Sequence, residues 1–210
     1  LGAFCVYARK DPKGPWAEAA RRMVEGLKER IIVEGDVAYL SSPAVEPGWP
    51  VQKPIQKPLK YTAAVACQTA HGLAQYDRLV VGKPGEATEL AGKMLRYIFR
   101  DAEFFAPDGT FLNNRIGDET NHFHTHTMVV LAALEVAAMT GEKDLLEWSQ
   151  KTYNYAVSKG NSLVGYFPEF LHYEPSTSET CEVADMIMAA IMLSRLGKDH
   201  WDDADRWIRN

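Results

Sequence analysis

Cysteine is scarce in this chain. Three residues, Cys5, Cys67 and Cys181, are spread over 210 positions, which excludes a disulfide framework and suits a reducing compartment, with a cytoplasmic location as the expectation. Basic charge is also in deficit: 23 Lys and Arg against 28 Asp and Glu leave a net charge of −5. Without a Lys/Arg run there is no electrostatic footprint for nucleic acid or an anionic membrane surface, so neither is expected as a partner. No uninterrupted apolar run reaches the roughly 18 residues of a membrane span. The opening heptapeptide, LGAFCVY, lacks the charged start and the length of a signal peptide. An Asn-Gly pair between alternating apolar runs, the strongest hairpin signal, is missing too. The chain has no initiator Met and closes on helical-looking residues 201–210, so it reads as a single domain that is a fragment of a larger one.

What is present is enough for a sizeable core, since 46% of residues are hydrophobic. Helical periodicity dominates, and the spacing predicts an all-α chain with helices over 16–32, 59–77, 86–102, 124–139, 143–158, 179–196 and 199 to the end. Pro15 opens the first of these, with Met23, Leu27 and Ile31 on its apolar face. Residues 41–58 carry five prolines and read as an inter-helix connector rather than a polyproline ligand.

The helices alternate in character. Residues 128–139 and 183–193 are apolar nearly all round, as buried helices are, while 143–158 is amphipathic. Gly85, Gly141 and Gly197 mark the turns between such pairs at intervals of 56 residues, so the chain repeats as αα-hairpins. Hairpins of this size stack as an open solenoid or close into an α/α toroid with the apolar helices inside. The toroid is the expected fold, here as an incomplete ring.

In a toroid, loops at one end surround a central pocket, and two segments carry the polar groups. One is Asn121-His122-Phe123-His124-Thr125-His126-Thr127, before an apolar helix. Its three histidines at i, i+2, i+4 share a side only in an extended segment, and in a helix His122 and His126 alone align. Metal ligation, hydrogen bonding to a polar substrate and structural hydrogen bonding at the helix entry are all open to them. The other is the long connection 160–178, with Tyr166, Phe167, Phe170, Tyr173, His172 and the carboxylates Glu169 and Glu174. Glu169, among aromatic residues, is either a partly desolvated acid fit to donate a proton near neutrality or a solvated loop glutamate. Aromatic residues there suit stacking on a carbohydrate and equally suit a core. Ser176-Thr-Ser-Glu179 matches a capping box with Ser176 as N-cap. At a frayed helix entry, Glu179 and Cys181 can instead turn toward one zinc ion, although two ligands are too few.

Ser178-Glu179-Thr180-Cys181 entering an apolar helix, then Gly197 and the run Trp201-Asp-Asp-Ala-Asp-Arg-Trp-Ile-Arg-Asn210, resembles the α/α-toroid proteins around glycoside hydrolase family 127, the β-L-arabinofuranosidase family. His124-Thr-His126-Thr is similar to that family's His-Ala-Asn-Thr element, with His126 in place of Asn. Gly165-Tyr-Phe-Pro-Glu169 is similar to its acid/base loop. The resemblance covers residues 121–210. It implies a retaining glycoside hydrolase with a carbohydrate substrate, Glu169 as general acid/base, Glu179 and Cys181 as zinc ligands, and His124 at the sugar. His126, Tyr166 and His172 are the further candidates for substrate contact. The family's nucleophilic thiolate sits in a Cys-Cys pair that this sequence does not contain, so the isolated chain is expected to be inactive. Two rivals remain: a metal-free toroid glycosidase or uronyl hydrolase using Glu169 with Glu179 or Asp185, and a non-catalytic helical scaffold.

Overall fold

The computed structural model describes residues 1–40, 62–102, 104–112, 122–171 and 177–209, with the backbone alone for 62–66. The proline-rich connector, His172, Tyr173, Glu174 and Ser176 lie outside the described residues. The described chain is mainly helical, with eight α-helices and one two-stranded sheet.

Six of the helices form three successive hairpins. They are α3 (Thr62–Tyr76) with α4 (Glu86–Arg100), α5 (Phe123–Thr140) with α6 (Lys143–Ser158), and α7 (Thr180–Arg195) with α8 (Trp201–Ile208). The first helix of each hairpin packs on the first helix of the next, α3 on α5 and α5 on α7, while α4, α6 and α8 each back their own partner. This follows the apolar pattern: α5 buries residues around its circumference, from Phe123 and Val129 to Leu134 and Ala137. α6, in contrast, buries one stripe, Ser149, Thr152, Tyr153 and Ala156. Two thirds of α5 (67%) is buried inside the fold, so this largely apolar helix of 18 residues serves as a core helix here. α7 is equally apolar but leaves Ala184 and Met188 exposed, so the expectation of burial all round holds for α5 and not for α7.

The repeat glycines do two different jobs. Gly141 and Gly197 have φ of 75° and 89° and stop α5 and α7 in the left-handed conformation that a side chain would strain. In the first hairpin that role passes to Gly82, φ 82°, after a π-helical turn over Asp77–Val81 that extends α3. Gly85 instead starts α4, and the buried carboxylate of Asp77 caps it, accepting from the backbone N–H of Gly85 and Thr88 at 2.9 and 2.7 Å. A β-carbon on Gly85 would sit 3.3 Å from that carboxylate.

The N-terminal region corrects two expectations. Residues 2–10 form an unpredicted helix, α1 (Gly2–Lys10), which packs on α2 (Trp16–Lys28). The predicted helix over 16–32 stops at Lys28 because Ile31 and Ile32 belong to a hairpin, β1 (Ile31–Glu34) and β2 (Val37–Leu40), paired antiparallel with Ile31 opposite Leu40. Its turn is Gly35-Asp36, with Gly35 at φ 62°, so the turn chemistry was present without an Asn-Gly pair.

One charged group is sealed between hairpins. Glu135 on α5 is 3% exposed and accepts a bidentate bond from Arg78, at 2.7 and 2.8 Å, and one from Gln75 at 3.3 Å, with His71 at 3.6 Å. Burial alone would raise its pKa, but His71 and Arg78 outweigh that and hold it at about 2. A depressed carboxyl stabilises the fold above its unfolded pKa and loses that contribution as pH falls toward the folded value. From an ordinary value of 4.5 to about 2 the contribution is about 3 kcal/mol. Urea unfolding between pH 5 and pH 2 should therefore show a loss of this order in the wild type, and Glu135→Gln should remove that part of the acid dependence.

Candidate functional site

The N-termini of α5 and α7 open side by side, and the long loop comes back between them. Phe167 anchors that loop in the core, stacked 5.5 Å from Phe123 and edge-on to Trp207 at 5.0 Å. Gly160 makes the approach feasible, since a β-carbon there would collide with the carbonyl of Tyr166 and the ring of Phe167. From this anchor the backbone is clamped on both sides of Glu169. Its carbonyl accepts from Phe123 N–H at 2.8 Å, and its N–H donates to Thr177 O at 2.7 Å. A bridge pairs His122 with Phe170. Thr177 Oγ1 donates to Glu169 Oε2 at 2.6 Å.

The carboxylates and thiol of α7 face the same opening. Glu179 is the N-cap and Glu182 the N3 residue of a reciprocal capping box, so the box begins three residues after the position expected from Ser176. Cys181 Sγ lies 3.1 Å from Glu179 Oε2 and 3.5 Å from Glu182 Oε1. Burial first, and then the hydrogen bond to Glu179, push the Cys181 thiol up to about 12. Without a cation it stays protonated at neutral pH. Donor atoms of His122, Glu169 and Glu179 fall within 4.8 Å of one another, as do those of Glu179, Cys181 and Glu182.

The three histidines go three ways. His122 is the extended N-cap of α5, and its Nε2 faces Glu182 Oε1 at 3.7 Å and Glu179 Oε2 at 3.8 Å. His124 turns to α7, where its Nδ1 donates to Asp185 Oδ2 at 2.8 Å. Thr127 Oγ1 donates to the same oxygen at 2.6 Å. The bond to Asp185 raises the pKa of His124 above its ordinary value, against the opposing effect of burial.

His126 is a correction. It is 0% exposed, sandwiched between Phe104 and Phe111 with ring centroids 4.2 and 4.4 Å away, and its ring nitrogens face the carbonyls of His122 and Leu112. Burial pushes its pKa down to about 4. It is therefore a neutral core residue at physiological pH and does not line the opening. Tyr166 is exposed on the turn 161–166, where Gly165 and Ser162 rest on Trp207. His172 lies outside the described residues. The structure thus places Glu179 close to both Glu169 and Cys181, with His122 beside the first pair and Glu182 beside the second, and sets His124 on Asp185.

Two overlapping groups, His122 with Glu169 and Glu179, and Glu179 with Cys181 and Glu182, offer nitrogen, oxygen and sulfur donors of the kinds that hold a metal ion, and the side chain of Glu182 is fully buried. Sequence reasoning passed over Glu182, whose signal was an acid three residues after a capping acid. It also did not separate His122 from its neighbours. In a comparison with known proteins, no family model, curated protein or solved structure matches the chain.

The burial of His126 has a direct consequence. His126→Ala should lower the unfolding free energy by about 3 kcal/mol, as emptying a packed aromatic slot does. A variant of unchanged stability that had lost ligand affinity would return His126 to the site.

Proposed function

We propose that this chain is part of an α/α-toroid glycoside hydrolase of the β-L-arabinofuranosidase type, acting on a furanoside with retention of configuration. The position of Glu179 close to both Glu169 and Cys181 supports the reading, because these are the three residues that the family resemblance assigns to acid/base and zinc roles. Three side-by-side hairpins with apolar first helices support the toroid.

In this reading Glu169 donates a proton to the leaving glycosidic oxygen and later recovers one from the attacking water. Its backbone clamp and the Thr177 hydroxyl fix where that proton is delivered. His124 holds a sugar hydroxyl. Asp185 occupies its Nδ1, and Nε2 has no hydrogen-bond partner among the described residues. Glu179 and Cys181 are the residues that would hold zinc. A zinc ion held there would supply one thing, a thiolate kept deprotonated at neutral pH. The nucleophilic thiolate itself is implied to lie in a Cys-Cys pair in a further part of the protein. A reducing compartment is consistent with the three free cysteines.

One observation favours a second reading. Oxygens of Glu169 and Glu179 lie within 4.8 Å of each other, near the roughly 5–5.5 Å that separates acid and nucleophile in retaining glycosidases. In this version Glu179 attacks the anomeric carbon and no metal is needed.

Hydrolysis of aryl arabinofuranosides by the polypeptide as its gene encodes it tests both. Glu169→Gln is expected to lower kcat by about 10²–10⁴-fold, and unchanged turnover would reject either mechanism. Chelation separates them: activity lost and restored by zinc supports the thiolate, and activity that survives chelation supports the carboxylate pair.

A further inference from the structure

A second concave surface lies on the outside of the hairpin stack and shares no residue with the α5 and α7 entries. α4 and α6 each pack on α5 far more than on each other, which leaves a groove between them with Val136 of α5 at its floor. The groove holds two adjoining cavities of about 330 and 380 Å³, both lined by Gly92, Arg96, Val136 and Glu142. Spaces of this size are those of small-molecule sites.

One wall is aromatic and the rim is polar. Trp148 of α6 meets Phe99 of α4 with ring centroids 4.3 Å apart, and Phe105 at 5.0 Å. Phe105 is buried, but Phe99 and Trp148 are half-buried and line the groove. Arg96 donates its Nε to the carbonyl of Asp36 at 2.7 Å, and its terminal nitrogens make no hydrogen bond among the described residues. The carboxylates of Glu142 and Asp144 are exposed and have no hydrogen bond or ion pair among the described residues. Gly92 is an independent sign that the space is kept open. It sits inside α4, where glycine weakens a helix relative to alanine. Packing does not call for it, since a β-carbon there would meet only Arg96 Nη1, at 3.6 Å, an ordinary contact. What the missing side chain leaves is room in the groove.

A ligand matched to this surface has an apolar face for the aromatic wall and hydroxyls that accept from a guanidinium and donate to carboxylates. It is uncharged, because Arg96 repels cations while Glu142 and Asp144 repel anions. A sugar ring combines C–H faces with a rim of hydroxyls. We propose that the groove between α4 and α6 is an accessory carbohydrate site, which holds a neutral oligosaccharide or a neutral stretch of polysaccharide away from the reacting centre. The proposal rests on the functional reading for the choice of sugar, and it adds a polymeric substrate gripped at two places.

The test follows Trp148 itself, in the protein as its gene encodes it, labelled with fluorotryptophan and carrying Glu169→Gln so that the probe is not consumed. Trp148→Phe assigns its fluorine signal among those of the other tryptophans. Neutral arabino-oligosaccharides are titrated to millimolar concentration, with choline and oligogalacturonides as cationic and anionic controls. The expected result is a saturable shift of the Trp148 signal with the neutral sugar alone, and an affinity lowered more than about tenfold by Gly92→Leu, which fills the groove. Glu142→Ala with Asp144→Ala, at two exposed positions, should weaken the same shift, and this variant decides the matter if melting shows that the leucine disturbs α4. No shift with the neutral sugar, a shift that the folded groove variants leave unaltered, or a shift produced by choline or the acidic sugar in its place would overturn the site. Activity separates this inference from the functional reading: with Glu169 intact, Gly92→Leu should raise KM on a polymeric arabinoside and leave kcat on aryl arabinofuranosides unchanged. A shift at Trp148 without furanoside turnover would keep the groove and reject the hydrolase, and turnover with a silent Trp148 would do the reverse.

Discussion

The site depends on one carboxylate. Asp185 sits one turn into α7, and a single oxygen of it receives both the His124 imidazole and the Thr127 hydroxyl from the first turns of α5. Both helices are otherwise apolar where they meet, and apolar contacts alone let neighbouring helices slide or rotate at small cost. Two charge-assisted hydrogen bonds to one buried-edge oxygen do not allow that. They fix the register of α5 against α7, and with it the distance between His122, just before α5, and Glu179, Cys181 and Glu182 at the start of α7.

Local helix chemistry and site chemistry share the same atoms. Acidic residues at a helix N-terminus satisfy free N–H groups and complement the helix dipole, so Glu179 and Glu182 have a structural reason to stand where they do. The capping box uses one oxygen of Glu182, leaving Oε1 to the opening. What the cap does not use faces a thiol and an imidazole. The loop adds Glu169 by backbone hydrogen bonds on either side of it, so its position does not depend on its own side chain.

Much of the fold was legible because it rests on periodicity. The spans of α4 to α8 follow from where apolar residues recur and where glycine interrupts them, and α6 lies where its amphipathic stripe predicts. The short N-terminal elements were harder to read. Ile31 and Ile32 continue the helical spacing of α2, but strand pairing with Tyr39 and Leu40 takes them instead, a tertiary choice that local pattern does not contain. Glu169, Glu179 and Cys181 were singled out from motif resemblance, and Glu179 lies close to each of the other two. His126 was misread because its neighbours in the core, Phe104 and Phe111, are distant in sequence. Asp185 carried a usable signal: a lone acid in an apolar helix has to find buried partners, and His124 and Thr127 are those partners.

A double-mutant cycle on His124→Ala and Asp185→Ala, read by urea unfolding, tests most directly whether this contact holds α5 to α7. The account predicts that the double mutant is less destabilised than the sum of the singles, with an interaction energy of about 1.5–3 kcal/mol for a charge-assisted hydrogen bond. Additive losses would mean that the two helices are aligned by their apolar faces alone, and that the meeting of the α5 and α7 entries has some other cause.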